Sequence, residues 1–150
     1  MFSPSVLRII VVVALAAHGI AHAIALGGLV GQSVGGVSTS VVVRSWLMPG
    51  LGPNTAPAVA VPFWLVATVG FLVAALSFSG ILIPDAPWRQ IAVGSAIASI
   101  LGTAFLAGTW PGSPTELRSM LNTGVAMAMN ATVLLALLWQ RWPAQEMFGG

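Results

Sequence analysis

The residues most able to do chemistry in this chain are two histidines four positions apart. His18 and His22 lie in the apolar stretch AAHGIAHAIA, residues 16–25, and the chain has no other histidine. Imidazoles at i and i+4 share a helix face. From there they can clasp a zinc or copper ion, give one axial ligand to a haem, hold a quinone or lipid-like molecule, or hydrogen-bond neighbouring helices. Each option needs partners. A closed zinc site wants four ligands. With no cysteine and no acid beyond the first turn of any apolar segment, a zinc site lacks ligands, whereas copper(I) could recruit sulfur from Met120, Met127 or Met129. Two rings on one helical face cannot grip a haem iron from opposite sides, so His18 or His22 would act alone or with a methionine. Nucleophilic hydrolysis finds no carboxylate near either ring, and proton or solute transport finds no acidic partner.

Ser99, Asn122 and Asn130 are the other polar candidates within apolar segments, the asparagines being spaced to share one half of a helix. Counted from segment midpoints at about 1.5 Å per residue, His22 and Asn122 come out roughly 6–8 Å toward one face. His18, Ser99 and Met127 fall near the midplane, and Asn130 slightly beyond it. One polar layer is expected, a ligand-binding candidate built from His18, His22, Ser99, Asn122 and Asn130, with His18 and His22 the ligands of any metal. No catalytic residue is assigned. Polar groups at membrane depth are costly and default to a functional reading. Hydrogen bonds between helices, at about 0.6–2 kcal/mol each, would also account for them. Asn130-Ala131-Thr132 fits the glycosylation pattern but would be unreachable at that depth.

Membrane helices must position these groups. Of 150 residues, 57% are hydrophobic and 5% charged, with a mean hydropathy of +0.98. A soluble domain carries about a quarter of its residues charged, so this chain could not cover a water-facing surface, and the bilayer is its expected solvent. Net charge is +2, and the pI near 11.4 reflects a shortage of acids. Arg8, Arg44, Arg89, Arg118 and Arg141 stand singly at the edges of apolar runs, where snorkelling cations belong. Nucleic-acid binding, which needs clustered charge, is excluded. The lack of cysteine excludes disulfides, thiolate catalysis and iron–sulfur clusters.

The expected fold is all-α: a polytopic membrane protein of one domain, residues 1–150, with four transmembrane helices in an antiparallel bundle. The spans are residues 5–30, 58–83, 88–108 and 114–139, and the first loop, 31–57, is long. Ala21-His22-Ala23 resembles a signal-peptide cleavage site, but the apolar run continues to Val30, and the span is expected to be retained. Within the loop, VVVRSWLM reads as an interfacial or re-entrant element and PGLGPNTAP as turn material. Asp85 reads as a helix cap with Pro87 in the first turn. Ser113, Pro114 and Glu116 read as a capping box. Both termini are expected in the cytoplasm, since Arg8, Arg89 and Arg141 then oppose Arg44 and Arg118. Trp139 and Trp142 near one end, and Trp46, Trp64 and Trp110 near the other, suit interfacial belts.

Close packing in lipid favours small residues, and Gly94, Ala98 and Gly102 recur every fourth position of the third span. On the first, Ala14, Ala17, His18, Ala21, Ala25 and Gly28 fall on one stripe with His22 at its edge. Ile9, Val12, Val13 and Ile20 lie opposite and suit lipid.

The opening span, LRIIVVVALAAHGIAHAIALGG, resembles the first helix of the DoxX-like four-helix membrane proteins. Those carry an arginine near the start, then an apolar stretch, then an HG-x-x-K or HG-x-x-H motif, matched here by His18-Gly19-x-x-His22. PFWLVATVGFLVAA, the WR opening the third span and the Gly- and Asn-bearing fourth span resemble the later helices. The resemblance implies a four-helix bundle and, for a few members, association with quinone-linked sulfur oxidation. Here the usual lysine is a histidine, the first loop is long and span two has no matching acid, so the fold is carried over and not the activity. The expected function is an accessory or binding subunit of a membrane complex, in contact with other membrane subunits or a second copy, with the buried His/Asn layer as its site. A redox subunit holding haem or quinone is the alternative, and a small-solute permease lidded by the first loop ranks third.

Overall fold

The computed structural model describes residues 3–33, 45–52, 55–82, 87–106, 109–111 and 113–143. Among the described residues all regular structure is helical: α1 (Pro4–Ser33), α2 (Thr55–Phe78), α3 (Trp88–Phe105) and α4 (Glu116–Leu134), the last prolonged by a π-helical segment, Leu135–Trp139. Three stretches are long and apolar enough to cross a membrane: Pro4–Leu29, Thr55–Phe78 and Glu116–Trp139. The third helix is not one of them. It has 18 residues, opens on Trp88-Arg89-Gln90 and carries Ser95, Ser99 and Thr103 on its length.

These helices pack in sequence. The α2 helix packs on both α1 and α3, and α4 docks on α3, whereas α1 and α4 make little direct contact among the described residues. Two apolar clusters fill the inside. One gathers Val11, Leu15, Phe71, Ala74, Phe78, Ala92 and Ala96, the other Leu29, Ala60, Trp64, Leu106, Trp110 and Ala126. On α1 and on α3 the stretch between the two clusters is polar: His18 and His22 on one, Ser99 on the other.

Close approach depends on missing Cβ atoms at three glycines. A Cβ on Gly19 would stand 3.1 Å from the Thr68 carbonyl oxygen and from Leu72 of α2. One on Gly70 would run into Ser95, and one on Gly102 into the Trp64 indole. Dispersion between closely fitted surfaces is what lipid cannot supply as well, so such contacts decide how apolar helices pair.

Several sequence-based expectations shift at this level. The buried stripe of α1 is Val11, Leu15, His18, Gly19, His22, Ala25 and Leu29, while Ala14 and Ala17 face outward. Large side chains together with Gly19 and Ala25 make the contact surface, and His22 sits at its centre instead of its edge. Ile9, Val13 and Ile20 are exposed as expected, and Val12 is half-buried. On α3, Gly94 is exposed, with nothing within 4 Å of where its Cβ would be, and Ala98 is half-buried. The seam runs through Ala92, Ser95, Ala96, Ser99, Gly102 and Thr103, so only Gly102 of the expected ridge packs as proposed. Trp64 and Trp110 are buried inside the protein, whereas Trp46 and Trp139 are exposed.

The helix ends differ too. Thr115, not Ser113, caps α4, its Oγ1 accepting from the Arg118 N–H at 3.2 Å. Ser113 is buried and serves Asn122 instead. Pro87 occupies the cap position of α3, and Asp85 lies outside the described residues. Of the first loop, 31–33 continue α1 and α2 begins at Thr55. Residues 34–44, which hold the first half of the expected re-entrant element, lie outside the described residues. Next to them Ser45 is buried and Trp46 Nε1 donates to the Ala104 carbonyl of α3.

Candidate functional site

Asn130 is where α4 meets the rest of the molecule. The helix buries only Ser119, Ala126 and Asn130 among its described residues. The Asn130 side chain reaches two helices at once: its Nδ2 donates to Ser99 Oγ of α3 at 2.6 Å, and its Oδ1 lies 2.8 Å from His18 Nε2 of α1. Ser99 Oγ in turn lies 2.7 Å from His22 Nε2. Four side chains thus form one chain of hydrogen bonds, and none is more than 3% exposed.

Valence sets the direction of that chain. An amide oxygen only accepts, so His18 donates from Nε2 to Asn130 Oδ1. Ser99 Oγ receives the Asn130 N–H, which frees its own O–H to donate to His22 Nε2. The polarity runs from His18 to His22, each link polarising the next in an apolar setting. At its far end His22 Nδ1 is buried with no hydrogen-bond partner among the described residues, and the same holds for the buried Trp64 Nε1 and Thr103 Oγ1. Buried polar atoms are usually satisfied, so this end of the layer carries unused hydrogen-bonding capacity.

Aromatic rings enclose the histidines. The rings of His18 and His22 stand edge to face at 4.9 Å, and Phe71 meets His18 at 4.6 Å. Trp64 and Trp110, 5.2 Å apart, lie 5.9 and 5.7 Å from His22. Trp110 comes from the segment between α3 and α4 and is held by its backbone N–H donating to Ser119 Oγ. Neither Trp64 nor Trp110 stands out in the sequence, because a tryptophan near the end of an apolar run also suits the interface. The spacing of Ser119, Ala126 and Asn130 along one face of α4 was the available signal for the Trp110 anchor.

Beside this layer, α1 and α4 stand apart around a cleft of about 250 Å³. His18, Ala21 and Ile24 form one wall, Asn122, Ala126 and Met129 the other, with Trp110 across the end. Asn122 does not join the hydrogen-bonded chain. It is half-buried, and its Nδ2 donates to Ser113 Oγ at 3.3 Å. Of the five polar candidates, His18, His22, Ser99 and Asn130 come together, and Asn122 meets His18 across the cleft. A second cavity of about 140 Å³, wholly apolar in character, lies farther along the same side between Ile10, Val11 and Leu15 of α1 and Val133 and Leu137.

This set can hydrogen-bond a molecule lodged beside it. Both Nε2 atoms are engaged, so axial ligation of a haem iron through either would displace Asn130 or Ser99. Among the described residues there is no group of three or more His, Cys, Asp or Glu side chains that could hold a metal ion. What remains is a cleft with apolar walls and two polar side chains, the usual make-up of a small-molecule site. Compared with protein-family models, with curated proteins and with solved structures, the chain matches none of them.

Proposed function

We propose that this chain is a small integral membrane protein that binds an apolar molecule taken sideways from the bilayer, and that it works as a binding or accessory subunit of a membrane complex. One observation carries the reading: the buried hydrogen-bonded layer ends on His18 at the wall of the α1–α4 cleft, where among the described residues these two helices make little direct contact. Ligands of membrane proteins reach such sites between helices without crossing an aqueous face.

The proposal includes four spans in an antiparallel bundle in the cell membrane, with both termini cytoplasmic. Contacts at one end support that arrangement. Arg8 lies over the Phe78 ring at 5.9 Å, Phe78 packs on Trp88 at 4.4 Å, and Arg89 Nη2 donates to the Arg141 carbonyl at 3.1 Å. Three arginines at one end is the bias the positive-inside rule reads. The DoxX-like resemblance of the first helix belongs to the same proposal, as does contact with further subunits or a second copy through the exposed faces of α4.

The test is purification from native membranes in mild detergent, followed by solvent extraction and mass spectrometry of what accompanies the protein. A small apolar molecule at near-stoichiometric amount, lost from His18→Ala, is the expected result. Recovery of a bare monomer from both proteins would overturn the proposal.

A further inference from the structure

We infer that the α1–α4 cleft selects apolar molecules bearing a hydroxyl — a phenol, a hydroquinone or a long-chain alcohol — over ether or carbonyl analogues of the same shape. The inference rests on the proposed reading of that cleft as a ligand site and names what the site recognises.

His18 decides the selectivity. Its Nε2 proton is committed to Asn130 Oδ1, and an uncharged imidazole carries only one N–H, so Nδ1 is left as an acceptor. The ring lines the cleft. Asn122 opposite donates one amide hydrogen to Ser113, its second amide hydrogen serves any ligand oxygen alike, and its Oδ1 can only accept, so it does not oppose a donor. Ala21, Ile24, Ala126 and Met129 supply no donor from their side chains, and the Trp110 indole N–H is a donor that a hydroxyl, carbonyl or ether oxygen can use alike. A hydroxyl entering here finds its acceptor. A carbonyl or ether oxygen facing His18 Nδ1 meets a lone pair and loses the water it gave up on entry.

Size and access fit the same class. An apolar cavity of about 150 Å³ is enough for benzene. The cleft, at about 250 Å³, takes a substituted ring or the hydroxyl end of a chain. Its open side lies between Ile24 of α1 and Val125 of α4, both exposed apolar residues, so a tail can leave toward the acyl chains. The unpartnered His22 Nδ1 belongs to the same polarity: with the chain running from His18 to His22, that atom carries a hydrogen that nothing accepts. Reversing the chain, with the Asn130 amide turned over, would exchange the roles and give the cleft a donor instead.

The experiment compares three probes: octylphenol, its methyl ether and an octyl-substituted quinone. Each is partitioned into vesicles of one lipid with and without the full-length protein, and the protein-dependent excess is measured. Octylphenol should bind about three- to tenfold more tightly than either analogue, the worth of one net hydrogen bond. It should also shift the Nδ1 nitrogen resonance of His18. Filling the cleft by Ala21→Phe, or from the other wall by Val125→Trp, should remove the excess while helical circular dichroism is retained. Equal binding of all three probes, abolished by either filling variant, would overturn the selectivity and leave the cleft a ligand site. A preference for quinone or ether would overturn it in favour of the reversed chain. Binding that survives both filling variants, or no excess for any probe, would overturn the cleft reading itself.

Discussion

Along the α1–α2–α3 side, backbone meets side chain directly: Gly19 lies against Thr68, Phe71 and Leu72, and Gly102 against Trp64 and Phe63. Between α1 and α4, by contrast, the described residues leave a cleft, and a hydrogen bond from His18 to Asn130 links the two helices. The first seam is held by fitted apolar surface, the second by polar bonding. In a bilayer both devices work without a hydrophobic driving force, but they fail differently. A fitted seam tolerates no added volume. A polar strut tolerates volume beside it and fails when one partner is removed.

Trp64→Ala should produce the largest effect. The indole is fully buried between α2, α3 and Trp110, and its loss should cost about 3–5 kcal/mol in reversible detergent-to-denaturant unfolding. A cost below about 1 kcal/mol would show that the fitted seam is not where stability resides. Next come two glycines of one helix with opposite expected signs. Gly102→Ala pushes a methyl into the Trp64 ring and should destabilise by about 1–3 kcal/mol. Gly94→Ala meets open space and should stabilise by about 0.4–1 kcal/mol through the unfolded chain. Equal effects at both positions would break the distinction between inner and outer faces of α3. Smallest is the coupling across the open side. A double-mutant cycle with His18→Ala and Asn130→Leu should give an interaction of about 0.6–2 kcal/mol. A coupling indistinguishable from zero would mean that α4 is held by something other than the strut.

The helical, membrane-spanning character of the chain was legible because it depends on composition and run length. α1 and α2 lie within a few residues of the expected segments at most ends. The rotation of each helix was less legible. Small residues attract attention as contact points, yet Gly94 faces outward and the large Leu15 and Leu29 face in. A helix bears small residues on several faces, and which one packs depends on the neighbour that fills the space, as Trp64 does at Gly102. The burial of Trp64 and Trp110 was hidden for a related reason. Their amphipathic rings suit an interface and a buried aromatic cluster equally well, and only a partner 5.2 Å away settles the matter.

One polar layer was expected from depths counted along each segment, with His18, Ser99 and Asn130 near the midplane and His22 and Asn122 roughly 6–8 Å to one side. Depth along a helix follows from the rise per residue and needs no knowledge of the partner. The order of the hydrogen bonds was not available that way. That Asn130 bridges His18 and Ser99 while Asn122 stands aside on Ser113 depends on how α4 is rotated and how far it stands from α1. The amino-acid sequence alone therefore determined the solvent, the helices and the level of the polar groups, all of which follow from properties summed along one segment. Tertiary structure decided which faces meet, which atoms are satisfied and where a cleft remains, because those depend on shape fitted between segments far apart in the chain.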